Sequence, residues 1–338
     1  MLPNLQRILV RATNWVGDAV MSLPALRAIR THYPQAHISV LALDWVADLY
    51  GRESFADEVI PYTARRGAGD WSGKWRLACD LRRRKFDGAI LLQNAFEAAL
   101  VVWMAGIPIR AGYARDGRGM LLTHGVAVPR KGSIPRHQSF YYLEMLRQLG
   151  VVDRLPEEAF IRLEGVQAKH DAANPVIGVS PGAAYGSAKR WLPERFAAAA
   201  VSIAKQRGCA VALFGAESER EICDMVARDV EKAGVEAVNF AGRTSLREFI
   251  EQTASCALML TNDSGAMHIA SALGVPTVTV FGATDHIATG PTGPLARIIR
   301  EPIDCSPCLK RECPLGHHRC MELISSDRVA ATALELLK

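Results

Sequence analysis

Two successive series of short apolar runs constrain this chain most, each run followed by a small polar turn and a stretch of helical periodicity. Continuous apolar runs of four to seven residues read as buried parallel strands, and parallel neighbours need a crossover, usually a helix. The first series places strands at residues 7–11, 37–42, 86–92 and 109–113. Its helices run from about residue 17 to 33, 95 to 104 and 138 to 149, and Asp44 stands where it can cap a further short helix. Residues 151–174, with scattered charge and Pro156, read as a connection. The second series has strands at 176–180, 209–214, 237–240, 257–260 and 276–281, with helices at 193–206, 218–233 and 321–338. The expectation is an α/β chain of two doubly wound parallel-sheet domains facing a cleft. Their bounds are 1–165 and 172–320, followed by a C-terminal helix over 321–338.

A length of 338 residues suits two such domains. No apolar run approaches the ~20 residues that span a bilayer, and the N-terminus enters a strand without the regions of a signal peptide. The expected location is therefore cytoplasmic. The net charge of +5 is unevenly spread: residues 1–150 hold 20 Lys+Arg against 12 Asp+Glu, whereas residues 151–338 hold 20 against 23. The basic half includes Arg65-Arg66, Arg82-Arg83-Arg84-Lys85, Arg115, Arg118, Arg130-Lys131 and Arg136. Such an excess attracts anionic partners. The aromatic interleaving of a single-strand binder is absent, which disfavours nucleic acid.

Function in an open α/β sheet gathers at the carboxyl ends of strands, and small polar residues crowd there at several places. Thr261 to His268, Thr-Asn-Asp-Ser-Gly-Ala-Met-His, runs from a strand into a helix whose free N–H groups favour an anion. The alternative is an ordinary capped turn with His268 merely packed. After the first strand, Gly17 permits a tight turn and Asp18 enters the first turn of a helix, either as a general base or as a partner of the helix dipole. Ser180-Pro181-Gly182 opens the second series, and Lys189-Arg190 bring two cations to the same mouth. That suits a diphosphate, although the P-loop spacing is not met; a solvated loop is the alternative. Glu217, at a further strand end, can accept hydrogen bonds from a ribose or a base.

Together, Trp15-Val16-Gly17-Asp18, Ser180-Pro181-Gly182, Ala188-Lys189-Arg190-Trp191, Thr261 to His268 and Phe281-Gly282-Ala283-Thr284 resemble the family 9 glycosyltransferases over nearly the whole chain. The resemblance implies a GT-B architecture of two Rossmann-like domains, with the acceptor on the first and the nucleotide sugar on the second. It implies inverting transfer of L-glycero-D-manno-heptose from ADP-heptose to the first heptose of the lipopolysaccharide inner core. On the same ground Asp18 would be the base and Lys189 would stabilise the diphosphate. Gly17, Ser180, Gly182, Arg190, Asp263, Ser264, Gly265 and His268 would bind substrate, and Glu217 would reach the nucleoside. No cofactor is required for catalysis under this reading. The partner of the basic half would be an anionic acceptor at the inner membrane face, where the enzyme would sit peripherally. A sister transferase with another donor or acceptor, a non-catalytic nucleotide-sugar binder and an NAD-dependent enzyme are the alternatives; the last lacks its G-x-G-x-x-G signature.

Cys305, Cys308, Cys313 and Cys320 lie within sixteen residues, with His317 and His318 between them. In a reducing cytoplasm such clustering argues for a metal over disulfides, although the spacing is not that of a zinc ribbon. A structural zinc site, disulfide pairing and free thiols all stay open. The segment is expected to brace the last strand against the C-terminal helix.

Overall fold

A computed structural model describes residues 1–63, 70–159 and 161–338; Arg65 and Arg66 lie outside these. The chain divides into two compact units, Met1–Phe160 and Ile161–Lys338.

In the first unit, β1 (Arg7–Arg11) leads into α1 (Val16–Met21) and α2 (Leu23–His32), then β2 (His37–Leu43), α3 (Asp44–Tyr50) and β3 (Glu58–Tyr62). There follow α4 (Trp71–Arg83), β4 (Gly88–Leu91), α5 (Phe96–Met104), β5 (Ile109–Tyr113), β6 (His124–Val126) and α6 (Gln138–Gln148). Among the described residues these strands form a six-stranded sheet in the order β3-β2-β1-β4-β5-β6, and every pairing is parallel. Leu9, Leu41, Ala89 and Leu91 on the strands pack with Leu81 of α4 and Val102 of α5. The order reverses between β1 and β4, so the carboxyl ends of those two strands bound the crevice of this sheet.

Several local expectations need correction. The helix expected over 17–33 is two helices, because Pro24 in the first turn of α2 lacks an N–H and cannot continue α1. Gly17 sits in the first turn of α1 and is not among the left-handed glycines, so no tight turn depends on it. Asp44 is the first residue of α3 and does not cap it; its carboxylate accepts from the Thr63 hydroxyl. The edge strand β3, with Pro61 inside it, and the strand β6 had no clear apolar run.

The second unit repeats the architecture. Its elements are β7 (Val176–Ser180), α7 (Pro193–Arg207), β8 (Ala210–Leu213), α8 (Arg220–Lys232), β9 (Ala237–Asn239), α9 (Leu246–Ala254) and β10 (Leu258–Asn262). They continue with α10 (Gly265–Leu273), β11 (Thr277–Phe281), α11 (His286–Thr289), β12 (Ala296–Arg300), α12 (Arg319–Glu322) and α13 (Ser326–Leu336). The sheet order is β12-β11-β10-β7-β8-β9, again parallel, with the reversal between β7 and β10. Ile177, Leu213, Leu260 and Val280 pack with Phe196, Ile203 and Val226. Two parallel six-stranded sheets with interleaved helices are the expected fold class. The final helix is broken into α12 and α13, with Ser325 capping α13 through the Arg328 N–H. α9 was not anticipated, although Ser245 and Glu248 form the capping box that marks its start.

Candidate active site

In the second unit the crevice between β7 and β10 holds most of the residues singled out in the sequence. The buried Asn262 side chain ends β10 and bonds both neighbouring loops. Its Oδ1 accepts from the Trp191 N–H at 2.9 Å, and its Nδ2 donates to the carbonyls of Pro181 at 2.7 Å and Gly182 at 3.3 Å. Asn262 thus ties the loop after β7 to the segment carrying Lys189 and Arg190. Trp191 anchors that segment in the core: it is fully buried, packs edge-on to Phe196, and donates its indole N–H to the Ile324 carbonyl.

Asp263, next to Asn262 in the chain, holds the cation in place. Lys189 Nζ lies 2.6 Å from Asp263 Oδ2, and the Asp263 carboxylate also accepts from the Thr284 hydroxyl. The Asp263 side chain is 3% exposed and the Lys189 side chain 13%, so the pair sits at the edge of the interior. Lys189 also stands 5.0 Å over the Tyr185 ring. Beside this pair α10 begins. Ser264 occupies its N-cap position, yet its hydroxyl bonds with Thr261 Oγ1 and makes no cap. Among the described residues the N-cap side chain thus leaves the start of α10 uncapped, as an anion site requires. Gly265 opens the helix, and His268 lies buried within it.

Gly182 and Ser180 lie on the β7 side of the crevice. A Cβ at Gly182 would come within 2.2 Å of the Glu219 carboxyl carbon, so a larger residue there requires the Glu219 side chain to move. Arg190 donates to the Ala183 carbonyl at 3.4 Å, and its buried Nε has no hydrogen-bond partner among the described residues. Glu217 stands on the adjacent strand end, after β8, exposed and 3.3 Å from Arg220. The structure thus brings Lys189 and the start of α10 together as the sequence reading placed them, and adds Asn262, Tyr185 and Thr284, which that reading quoted only within motifs.

In the first unit Asp18 lies in the first turn of α1, at the carboxyl end of β1. The Tyr142 hydroxyl donates to its Oδ1 at 3.4 Å. Burial pushes the Tyr142 phenol well above its ordinary value, and the nearby Asp18 charge adds to this. Burial likewise raises Tyr50 to about 12. Asp18 is therefore flanked by phenols that keep their protons at neutral pH. Three of the four basic residues at 82–85 have structural partners: Arg84 reaches Glu58 and Asp80, Arg83 reaches Asp80, and Arg82 bonds carbonyls at the end of α5. Arg118 is fully buried and donates to the carbonyls of Tyr113 and Gln93.

The cysteine-rich segment sits against the Lys189 loop. The Ala188 N–H donates to the Arg311 carbonyl at 2.9 Å, the Tyr185 hydroxyl donates to the Leu309 carbonyl at 3.0 Å, and His318 Nε2 lies 3.3 Å from the Ala188 carbonyl oxygen. It also holds the end of β11, through Ser306 Oγ to Gly282 and the Leu309 N–H to Ala283. The segment therefore holds the end of β11 and the loop that presents Lys189. Cys305, Cys308, Cys313 and Cys320, with His317 and His318, line one cavity of about 20 Å³. All four are free thiols, and among the described residues no three His, Cys, Asp or Glu side chains are arranged to hold a metal ion. Burial, with the neighbouring thiols, pushes Cys320 up to about 11, whereas the His318 N–H lowers Cys313.

Among the described residues no helix is long and apolar enough to cross a membrane. The model of glycosyltransferase family 9 (heptosyltransferase) matches residues 74–319. Lipopolysaccharide heptosyltransferase 2 of Escherichia coli K12 is 32% identical over 96% of both chains, and that of Salmonella typhimurium LT2 is 30% identical over 98% of both. The solved structure of E. coli ADP-heptose LPS heptosyltransferase II superimposes with a TM-score of 0.83 at 30% identity, covering 98% of each chain.

Proposed function

Because the chain belongs to glycosyltransferase family 9, we propose that it is a lipopolysaccharide heptosyltransferase. In this reading it moves L-glycero-D-manno-heptose from ADP-heptose to the first heptose of the inner core, with inversion at the anomeric carbon. The observation that carries the donor half is the Lys189–Asp263 pair beside the uncapped start of α10. A cation and free helix N–H groups at one strand end are what a diphosphate needs.

The reaction divides between the units. In the first, the Asp18 carboxylate accepts the proton of the acceptor hydroxyl as its oxygen forms a bond to the anomeric carbon. In the second, the bond from that carbon to the diphosphate breaks and its electron pair leaves with ADP. Lys189 and the α10 N–H groups, joined by the backbone at Gly182, offset the negative charge that develops there. Ser180, Arg190, Ser264, Gly265 and His268 complete the donor pocket, and Glu217 is exposed to reach the ribose or base. This scheme draws its charge stabilisation from protein groups and assigns no catalytic metal. The acceptor is anionic lipopolysaccharide core at the cytoplasmic membrane face.

The test is transfer from ADP-heptose to a mono-heptosylated Kdo–lipid A acceptor. Asp18→Asn and Lys189→Met should each lower kcat by about 10²–10³-fold, typical of losing a general base or a charge stabiliser. Added EDTA should leave the rate unchanged. Full activity in Asp18→Asn refutes the base assignment. Turnover with only another nucleotide sugar would make the protein a sister transferase.

A further inference from the structure

Four thiols converge in the second unit, and the chemistry proposed above uses none of them. Cys305, Cys308, Cys313 and Cys320 line a cavity of about 20 Å³, roughly the room taken by one water molecule. Cys320 sits in α12 and is buried. Cys305, Cys308 and Cys313 are half-buried and lie outside helices and strands, on the chain between β12 and α12. A gap of that size between sulfurs on irregular chain is closed by side-chain rotation with a small loop shift.

Of the four, Cys313 has the surroundings of a reactive thiol. The His318 N–H donates to its Sγ at 3.4 Å, and the N–H groups of Leu315, Gly316 and His317 also favour its thiolate. Burial acts the other way at Cys320, which keeps its proton. The same stretch of chain reaches the donor side. The His318 ring Nε2 lies 3.3 Å from the carbonyl oxygen of Ala188, the residue before Lys189. Between Cys308 and Cys313, the Leu309 carbonyl accepts from the Tyr185 hydroxyl at 3.0 Å and the Arg311 carbonyl from the Ala188 N–H at 2.9 Å. Gly186 packs so closely that a Cβ there would lie 2.2 Å from the Arg311 carbonyl oxygen. Close packing of this kind transmits a displacement of Arg311 to the loop.

We propose that this cluster is a redox-modification site: a small-molecule disulfide such as oxidised glutathione links Cys313 to Cys305 or Cys308, which loosens the Lys189 loop and weakens nucleotide binding. The Cys313 thiolate attacks one sulfur of the reagent, forming a mixed disulfide and expelling one thiolate. The second cysteine, losing its proton, attacks the Cys313 sulfur and expels the other half of the reagent. Two protein thiols are oxidised, one reagent disulfide is reduced to two thiols, and the protons given up by the cysteines end on them. Either pairing closes a ring around Leu309 and Arg311, so the carbonyls that hold Tyr185 and Ala188 must move. It also draws the Cys313 sulfur from the His318 N–H. In a reducing compartment such a bond is transient and serves as a sensor. The bond and its effect on the loop stand by themselves; only the consequence for the nucleotide rests on the transferase reading.

The full-length protein, first reduced, is treated with oxidised glutathione at neutral pH, and peptide mass mapping locates the bond. Hydrogen exchange over residues 185–191 and calorimetric binding of ADP are compared between the two forms. The expected product is a disulfide of Cys313 with Cys305 or Cys308 that dithiothreitol reverses. With it, exchange at the Ala188 N–H should speed up and ADP should bind about 5-fold or more weakly, the lower end of coupling between linked sites. Cys313→Ser keeps an acceptor for the His318 N–H; it should form no such bond and show no change of exchange or ADP affinity on treatment. Cys305→Ser and Cys308→Ser provide a second test, since one of them should block the bond. A free Cys313 thiol after treatment, a Cys313 bond that leaves exchange over 185–191 unchanged, ADP bound equally by both forms, or the same response in Cys313→Ser each overturns the proposal. So does a tightly held transition metal, at about one equivalent, that masks the four thiols. Faster exchange on oxidation in a chain that binds ADP in neither form would count against the donor reading and leave the thiol site standing.

Discussion

Replacing Asn262 by alanine tests how the donor-side crevice is held. The side chain is fully buried and makes three hydrogen bonds, to the Trp191 N–H and to the Pro181 and Gly182 carbonyls. Truncation strands the buried Trp191 N–H, at about 1–3 kcal/mol, and removes a donor from two carbonyls, each bond contributing roughly 0.5–1.5 kcal/mol. Some of that loss is recovered as the loops shift or water enters, so a central value of about 3 kcal/mol is expected. For a unit of this size that corresponds to a drop of roughly 6–12 °C in its melting temperature. The same bonds set the spacing between Gly182 and Lys189, so KM for the nucleotide sugar should rise by about 10-fold or more. The assay pairs a melting curve with a donor titration. Asn262→Asp keeps the acceptor for Trp191 but sets a carboxylate oxygen against the Pro181 and Gly182 carbonyls, and should raise donor KM at least as much as Asn262→Ala. A variant Asn262→Ala that melts within about 1 °C of wild type with unchanged donor KM would refute the clamp.

Three further outcomes follow from particular contacts. Gly186→Ala would place a Cβ 2.2 Å from the Arg311 carbonyl oxygen; the clash should destabilise the second unit by about 1–3 kcal/mol and lower kcat, read by denaturant melts and rates. Burial raises Tyr50 to about 12 from an ordinary value of 10, so its contribution is intact below pH 10 and is lost as pH rises from 10 to 12. Tyr50→Phe should flatten that fall in urea midpoints, which for one group is at most about 1.4 kcal/mol per pH unit. Alkylation by iodoacetamide at neutral pH should mark Cys313 first, because its thiol is lowered by the His318 N–H. Cys223 and Cys256, both pushed by burial to about 12, should stay unmodified. Peptide mass mapping reads that order, and early modification of Cys256 would contradict it.

The alternation of apolar runs and helical stretches carried the doubly wound architecture, because strands buried on both faces have few residue types open to them. Ile8-Leu9-Val10, Ile177-Gly178-Val179 and Leu258-Met259-Leu260 are such runs. Edge strands escape that rule, since one side is wet and the pattern weakens: β3 tolerates Pro61, and β12 is only partly buried. Polar residues at strand ends were legible for the same reason that sites form there. Asp18, Lys189 and Asp263 all stand where the apolar pattern stops.

What the chain alone left undecided was which of those polar groups touch. Lys189 and Asp263 are 74 residues apart, and only the parallel pairing of β7 with β10 brings their loops together. Asn262 looks in sequence like one more turn residue; its part in the crevice exists only because two other loops bring their backbone groups to it. Arg11 ends a strand whose Ile8, Leu9 and Val10 are core residues, and folding buries it beside a cavity lined by Tyr62, Lys74 and Gln93, which lie far along the chain. Local pattern encodes burial and turn chemistry, which depend on neighbours along the chain. Ion pairs, clamps and cavities depend on distances set by sheet order, and those are fixed only when the whole unit packs.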